Sequence, residues 1–277
     1  NPIIMTVAFR RGWPRGFSMV MEERQDKIIS LLMNQQSATV SELSDLFAVS
    51  PVTIRSDLNQ MAERGHIVRT HGGARLAGER TRQEYSFTTQ QRINALEKQQ
   101  IGHTAASLVE PGEAILLDAS TTAFAVGQAL KKRTDLYNVT VVTTGIWTAL
   151  ELLGTTHLDI VLSGGHVRTA SGSIAGVIAH DVLGRFNFQK AVLGAWGITP
   201  AEGLMDSPLA EVDLKRTIVS RSLELIAVVD GSKFGRTSLA SVASLGETAL
   251  IITGSSAPLE IVEDIRSRGI YITIANN

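Results

Sequence analysis

Between residues 114 and 274 one pattern recurs: a short apolar run, a polar or glycine-rich turn, then a stretch with helical spacing. The runs read as strands at Ala114–Asp118, Val139–Thr143, Leu158–Leu162, Lys190–Gly194, Leu225–Val229, Ala249–Ile252 and Tyr271–Ile274. Helical spacing is read at Arg92–Val109, Thr122–Lys132, Ile146–Leu153, Ile174–Leu183, Leu209–Arg221 and Pro258–Arg268. Strands that alternate with helices imply a mostly parallel sheet with helices on both faces, an α/β architecture.

In such sheets ligands bind beyond the carboxyl ends of the strands, and the polar clusters lie there. Asp118 ends the first strand, and Ser120, Thr121 and Thr122 open the next helix, where free N–H groups and hydroxyls make an anion site. The same triplet is equally a plain helix cap. Thr143, Thr144 and Gly145 close the second strand. Gly164 and Gly165 follow the third and permit close backbone approach to a phosphate, although a glycine pair alone is more often a turn. In "VVDGSKFG", Asp230 and Lys233 follow a later strand, and a loop ammonium at a strand end is placed to neutralise a phosphate. Glu211 and Lys215, four apart, share one helix face, a spacing that also fits a surface ion pair.

The 277 residues are enough for roughly two domains at about 150 residues each. The net charge of -1 hides an uneven distribution: residues 1–82 hold 11 Lys/Arg against 8 Asp/Glu, the remainder 15 against 19. Between Arg64 and Arg82 stand five Arg and one acid, Glu79, with His66 and His71, a stripe suited to a polyanion or to a solvated face. A first helix over about Glu22–Asn34 turns Ile28, Ile29, Leu31 and Leu32 inward and leaves Glu22, Glu23, Arg24, Asp26 and Lys27 wet. Thr39 and Glu42 form a capping box before Leu43, Leu46 and Phe47. A third helix starts at Ser50, with Pro51 in the first helical position, and ends near Arg64 at Gly65.

On that third helix Ile54, Leu58 and Met61 face a core, so Pro51, Thr53, Arg55, Ser56 and Asn59 face elsewhere. Arg and Asn engage base edges bidentately, and Ser and Thr bond bases or phosphates, as a recognition helix requires. "HIVRTHGGAR" then reads as a hairpin that delivers Arg69, His71 and Arg75 to phosphates or a minor groove. Together these features describe an α+β winged helix-turn-helix.

The stretch "VSPVTIRSDLNQMAERGHIVRTHGGA" resembles the signature of the DeoR family of bacterial transcriptional regulators, with Ser56 where the family usually carries a second Arg. "ILLDASTT", "LSGG" and "DGSKFG" resemble the sensor domain of that family, so the likeness runs from Glu22 to the C-terminus. The resemblance implies a sensor fold similar to ribose-5-phosphate isomerase and the CoA transferases, with a phosphorylated sugar or related metabolite as effector. By residue match it places Asp118, Ser120, Thr121, Thr122, Gly164, Gly165, Glu211, Asp230 and Lys233 at the effector. Thr144 stands where the family usually has Asn, and Trp196 where a small residue is more common; both join the effector-site candidates, Trp196 to stack on the ligand or narrow its pocket.

The expected organisation is an extension over 1–20 that precedes a natural start at Met19 or Met21, a DNA-binding domain over 21–76, a linker over 77–91 and a sensor domain over 92–277. The chain has no cysteine, which removes disulfides, thiolate nucleophiles and Cys-type zinc sites; no cofactor or metal is expected. No run approaches the roughly 20 apolar residues that span a bilayer, and a cytoplasmic protein is expected. The expected function is repression of a carbohydrate-utilisation operon, with double-stranded operator DNA and a phosphorylated sugar as partners. A homodimer or homotetramer is expected, because one winged helix reads only a half-site. The alternatives are a sugar-phosphate isomerase using Asp118, Glu211, Asp230 and Lys233, and a nonenzymatic scaffold.

Overall fold

The computed structural model describes residues 21–35, 37–63, 67–76 and 87–276. The 1–20 extension, Gly65, His66, residues 77–86 of the expected linker and the side chains of Glu22, Glu23 and Asp26 lie outside the described residues. The chain divides between Tyr85 and Ser86 into two compact units.

In the first unit α1 (Met21–Gln35), β1 (Ser37–Thr39), α2 (Val40–Phe47), α3 (Pro51–Glu63), β2 (Ile67–Thr70) and β3 (Gly73–Leu76) follow in order. The capping box forms: Thr39 Oγ1 accepts from Glu42 N at 3.2 Å while Glu42 Oε2 accepts from Thr39 N at 2.7 Å. Ile28, Ile29 and Leu32 of α1, Leu43 of α2 and Ile54, Leu58 and Met61 of α3 are buried; full burial of such side chains contributes about 1.5–3 kcal/mol each. Arg24 does not stay wet. It is 6% exposed, and its guanidinium grips the buried Asp57 of α3 from two nitrogens, Nε to Oδ2 at 2.6 Å and Nη2 to Oδ1 at 3.1 Å. Each charge needs the other once both leave water. The wing is a three-stranded antiparallel sheet in the order β1-β3-β2, with β1 too short to be seen from its pattern. Only glycine fits at position 73, since a Cβ there would lie 2.0 Å from Ala38 O.

The second unit begins with α4 (Phe87–Arg92), α5 (Ala95–Ala106), β4 (Ala114–Leu117), α6 (Thr121–Leu130), β5 (Val139–Thr143), α7 (Ile146–Leu152) and β6 (Leu158–Leu162). Then come β7 (His166–Arg168), β8 (Ser173–Ala175), α8 (Val177–Leu183), β9 (Phe188–Leu193), β10 (Gly197–Thr199), β11 (Gly203–Asp206) and α9 (Leu209–Ser220). It ends with β12 (Ser222–Val228), β13 (Ala240–Ala243), β14 (Leu250–Thr253), α10 (Leu259–Ser267) and β15 (Ile272–Ile274). The main sheet has seven strands in the order β15-β14-β12-β9-β4-β5-β6, each pair parallel.

Side chains alternate across this sheet. Ile115 and Leu117 of β4 pack with Ile101 of α5 and Val126 of α6, whereas Leu116 joins the opposite core with Leu183 of α8 and Ile218 of α9. From β4 the chain builds β5 and β6 on one side, then returns to lay β9 on the other. The strand order therefore reverses between β4 and β9, the point at which sheets of this type bind ligands beyond the carboxyl ends of their strands.

Four readings need correction. Residues 87–91 of the expected linker form α4, because Phe87 is buried against Phe124 and Trp147, at ring-centroid distances of 5.3 and 5.6 Å. The helix expected from Arg92 starts only at Ala95, after Asn94 turns left-handed at φ 53°. Ile174 and Ala175, expected to open a helix, belong instead to a strand that pairs antiparallel with β7. A second small sheet, β10-β11-β13, escaped notice because its strands have three or four residues and no apolar run. Among the described residues no helix is long and apolar enough to cross a membrane.

Replacing Arg24 by Met strands Asp57 as a buried unpaired charge, and guanidinium unfolding of the full chain should show a loss of about 3–5 kcal/mol. Adding Asp57→Leu should recover most of it. An Arg24→Met variant as stable as the parent contradicts the buried pair.

Candidate functional site

On α3 the buried stripe Ile54, Asp57, Leu58 and Met61 leaves Pro51, Arg55, Ser56 and Asn59 exposed, with Thr53 half-buried. Ser50 Oγ accepts from Thr53 N at 3.1 Å and lies 2.9 Å from Thr53 Oγ1, so these two hydroxyls serve the helix start. Val52, 71% exposed, also lies on the outer surface, an apolar side chain among the polar ones expected there.

In the wing the alternation runs opposite to expectation. Ile67 is buried and Val68 and Thr70 are exposed, while Arg69 turns inward and donates from Nη1 to Gly73 O at 3.0 Å. Arg69 thus braces its own hairpin. His71 is exposed on the turn, and Arg75 is half-buried opposite Val68.

Several sensor-unit candidates gather at the carboxyl ends of β4 and β9. Asp118 is 1% exposed: Oδ1 accepts from Ser120 N and Oδ2 from Gly194 N, both at 3.0 Å. Ser120 then caps α6 by accepting from Ala123 N at 3.1 Å, with Thr121 half-buried and Thr122 buried behind it. Gly194 has no room for a Cβ, which would sit 2.4 Å from Ser120 Oγ.

Lys215 links the cluster. Its ammonium lies 2.9 Å from Asp118 Oδ2 and donates to Asp206 Oδ2 at 2.6 Å and Gly194 O at 2.8 Å. Burial opposes the charge, but Asp118, Asp206 and Glu211 outweigh it and hold the lysine above its ordinary pKa. The reading of Glu211 and Lys215 as a surface pair is corrected. Both are buried, and Glu211 accepts instead from Arg168 Nη1 at 2.8 Å and from Ser173 Oγ.

Lys233 follows β12 in a short 3-10 turn that Asp230 caps through Ser232 N at 3.0 Å. Its Nζ lies 5.3 Å from the centre of the Trp196 ring, as does Arg236 Cζ, so two cations share one indole. Burial lowers the Lys233 pKa, with Arg236 and Lys215 adding to that and Asp230 and Asp206 opposing it. Thr144 is buried beside β4, its N–H on Leu117 O at 3.3 Å. Gly164 and Gly165 adopt left-handed φ values of 70° and 128°, but the described neighbours of Gly165 are Ile174, Ala175 and Ala179, not the Lys215 cluster.

A group absent from the expected site completes it. Asn94 Nδ2 donates to Asp230 Oδ1 at 2.9 Å, and Glu97 Oε1 accepts from Gly231 N at 3.0 Å while both its oxygens accept from Ser256 Oγ at 2.8 Å. Lys98, 3% exposed, donates to Gln90 O at 2.6 Å and Ile93 O at 2.7 Å, at the end of α4. Burial raises the Glu97 pKa and lowers that of Lys98 to about 8. Asp230 is held below the usual carboxylate value, because Lys233, Lys98, Ser232 and Asn94 outweigh its burial. Among the described residues no group of three or more His, Cys, Asp or Glu could hold a metal ion.

Residues 24–80 match the DeoR-like helix-turn-helix domain and residues 93–255 the DeoR C-terminal sensor domain. The chain belongs to the DeoR family. Across 256 residues, 91% of this DeoR-family chain and 98% of its relative, it is 36% identical to the HTH-type transcriptional regulator GolR of Listeria innocua. The glycerol-3-phosphate regulon repressor of Escherichia coli K12 is 30% identical over 256 residues, 92% of this chain and 100% of that protein. Both relatives are transcriptional regulators, and so is the DeoR-family chain, rather than an isomerase joined to a DNA reader. The structure of ribose 5-phosphate isomerase A from Methanocaldococcus jannaschii overlaps 51% of this chain and 55% of its own at 18% identity and a TM-score of 0.38. Nothing rests on that overlap.

Lys98 gives a pH signature. Its folded pKa of about 8 lies below the unfolded value of 10.5, so the unfolded state binds more protons between the two. The cost of burying the ammonium is fully present below pH 8 and disappears as pH approaches 10.5. The melting temperature of the parent, less that of Lys98→Met, should therefore rise across this window; a flat difference would refute the assignment.

Proposed function

We propose that this regulator represses a carbohydrate-utilisation operon and releases it when a phosphorylated sugar or related metabolite binds beyond β4 and β9. The observation that carries this reading is the placement of Lys233 and Arg236 each 5.3 Å from the centre of the Trp196 ring, three residues after β9 and so next to the reversal of strand order. A phosphate finds two cations there and the capped start of α6 nearby, and the indole offers a sugar ring an apolar surface. The E. coli relative takes its name from a regulon of glycerol 3-phosphate, a metabolite of the same chemistry. Asp118 is engaged internally, so in this reading it positions Ser120 and Gly194 rather than contacting the effector.

On the DNA side, α3 enters the major groove with Arg55, Ser56 and Asn59, while His71 and Arg75 of the wing approach the backbone. Two copies at least are needed, because one recognition helix covers one half-site. In this reading 21–76 binds the operator, and 92–277 senses.

Residues 87–98 form the route between effector and DNA. At one end Phe87 N donates to Ala170 O at 2.9 Å; at the other Asn94 and Glu97 hold the loop that carries Lys233. A ligand that shifts the Asp230–Lys233 loop thus acts directly on the segment that leads back toward the operator-binding unit. Coupling requires the ligand to favour one arrangement of that segment over another.

A thermal-shift screen of glycerol 3-phosphate, ribose 5-phosphate, fructose 1-phosphate and inorganic phosphate tests the effector class, because a ligand of the folded state raises its stability. Arg55→Ala should cost about 1–3 kcal/mol in specific binding and little on random duplex. Lys233→Ala should bind operator as the parent does and lose release by the hit from the screen; unimpaired release would remove Lys233 from the site. Asn94→Ala should keep ligand binding but reduce release about fivefold, a coupling loss of about 1 kcal/mol.

A further inference from the structure

We propose that Val52 reads the methyl group of a thymine in the major groove, beside the base pair read by Arg55. The proposal rests on α3 as the recognition helix, and adds an apolar contact to a face so far described by its polar groups.

Val52, Arg55, Ser56 and Asn59 are spaced by three, four and seven residues, so they form one stripe along α3. Ile54, Asp57, Leu58 and Met61 occupy the opposite, buried stripe. Val52 therefore has no part in the core, and 71% of its surface meets solvent. A lone exposed valine is unremarkable on most surfaces, but this one occupies the first turn of the helix. In helix-turn-helix proteins that end of the recognition helix meets base edges.

The neighbouring hydroxyls sharpen the assignment. Ser50 Oγ accepts from Thr53 N, and Thr53 Oγ1 lies 2.9 Å from Ser50 Oγ, so the polar groups of this turn are occupied by the cap. Pro51 and Val52 are what the turn presents outward. Valine is also a poor helix former compared with Ala, Glu or Lys, and without burial nothing in the folded chain compensates.

Base-edge chemistry selects the partner. In the major groove guanine shows two acceptors, cytosine an amino group and adenine an acceptor with an amino group; an isopropyl group against any of these covers a polar atom without bonding it. Thymine alone presents a methyl group. Val52 precedes Arg55 by three residues, about 4.5 Å along the helix axis, and base pairs rise about 3.4 Å. The thymine accordingly lies within two base pairs of the guanine that Arg55 engages.

Deoxyuridine lacks only the methyl group of thymine, which gives a single-atom test. Operator sequences are selected from a random duplex pool with the full chain, and each thymine of the tightest sequence is replaced in turn by deoxyuridine. The expected result is one thymine per half-site whose replacement weakens the parent about fourfold, the effect of losing one buried methyl group. Val52→Ser should bind the thymine and deoxyuridine duplexes equally. Val52 is exposed, so its replacement leaves the fold intact, and the unchanged melting temperature of the variant verifies this. If no thymine is sensitive, or if Val52→Ser retains the sensitivity, the assignment of Val52 is wrong. Arg55→Ala run in parallel separates that outcome from a deeper failure: if it still prefers the selected operator as strongly as the parent, α3 is not the recognition helix.

Discussion

The sensor unit depends on a single buried ammonium. Removing a charge such as Lys215 from water costs several kcal/mol, and only close, well-directed partners offset it. Those partners come from three places: Asp118 after β4, Gly194 after β9 and Asp206 at the end of β11. Because β4 and β9 flank the reversal of strand order, the lysine ties together the two halves of the sheet where they would otherwise diverge. Asp118 is then satisfied by Ser120 N, Gly194 N and Lys215, and its negative charge is spent within the framework.

The same economy ties the turn that carries Lys233 to the segment before β4. Asp230 begins the turn that carries Lys233 and also receives Asn94, from a segment that folds back along the sensor unit. Glu97 and Lys98 are adjacent, yet they face different structures: the carboxylate holds Gly231 and Ser256, and the ammonium closes the end of α4. A short stretch of chain thus touches both the turn that carries Lys233 and the end of α4.

Much of this architecture was legible because its signals are local. Parallel strands buried on both faces become continuous apolar runs, as Val139–Thr143 does, and the edge strand Leu158–Leu162 keeps enough of such a run to show its bounds. The recognition helix announced itself through Ser50 and Pro51, and the capping box through Thr39 and Glu42. The missing pieces depend on residues far apart in the chain. Arg24 looks like a solvated charge until Asp57, 33 positions later, is brought against it. Lys215 reads as the partner of Glu211 on helical spacing, but tertiary packing gives each a different partner. Arg69 shows how little separates the two faces of a hairpin: with Thr70 opposite Gly73 its side chain falls inside, and a shift of one residue would have put it outside.

Two of the three tryptophans mark the ends of the route just described. Trp196 has Lys233 and Arg236 against its ring, and Trp147 stacks on Phe87 at the start of α4. Indole emission shifts with the electric field across the ring and is quenched or released by changes in stacking. The molecule therefore carries its own pair of optical probes, one sensitive to charge brought near Lys233 and Arg236 and one to the seating of α4.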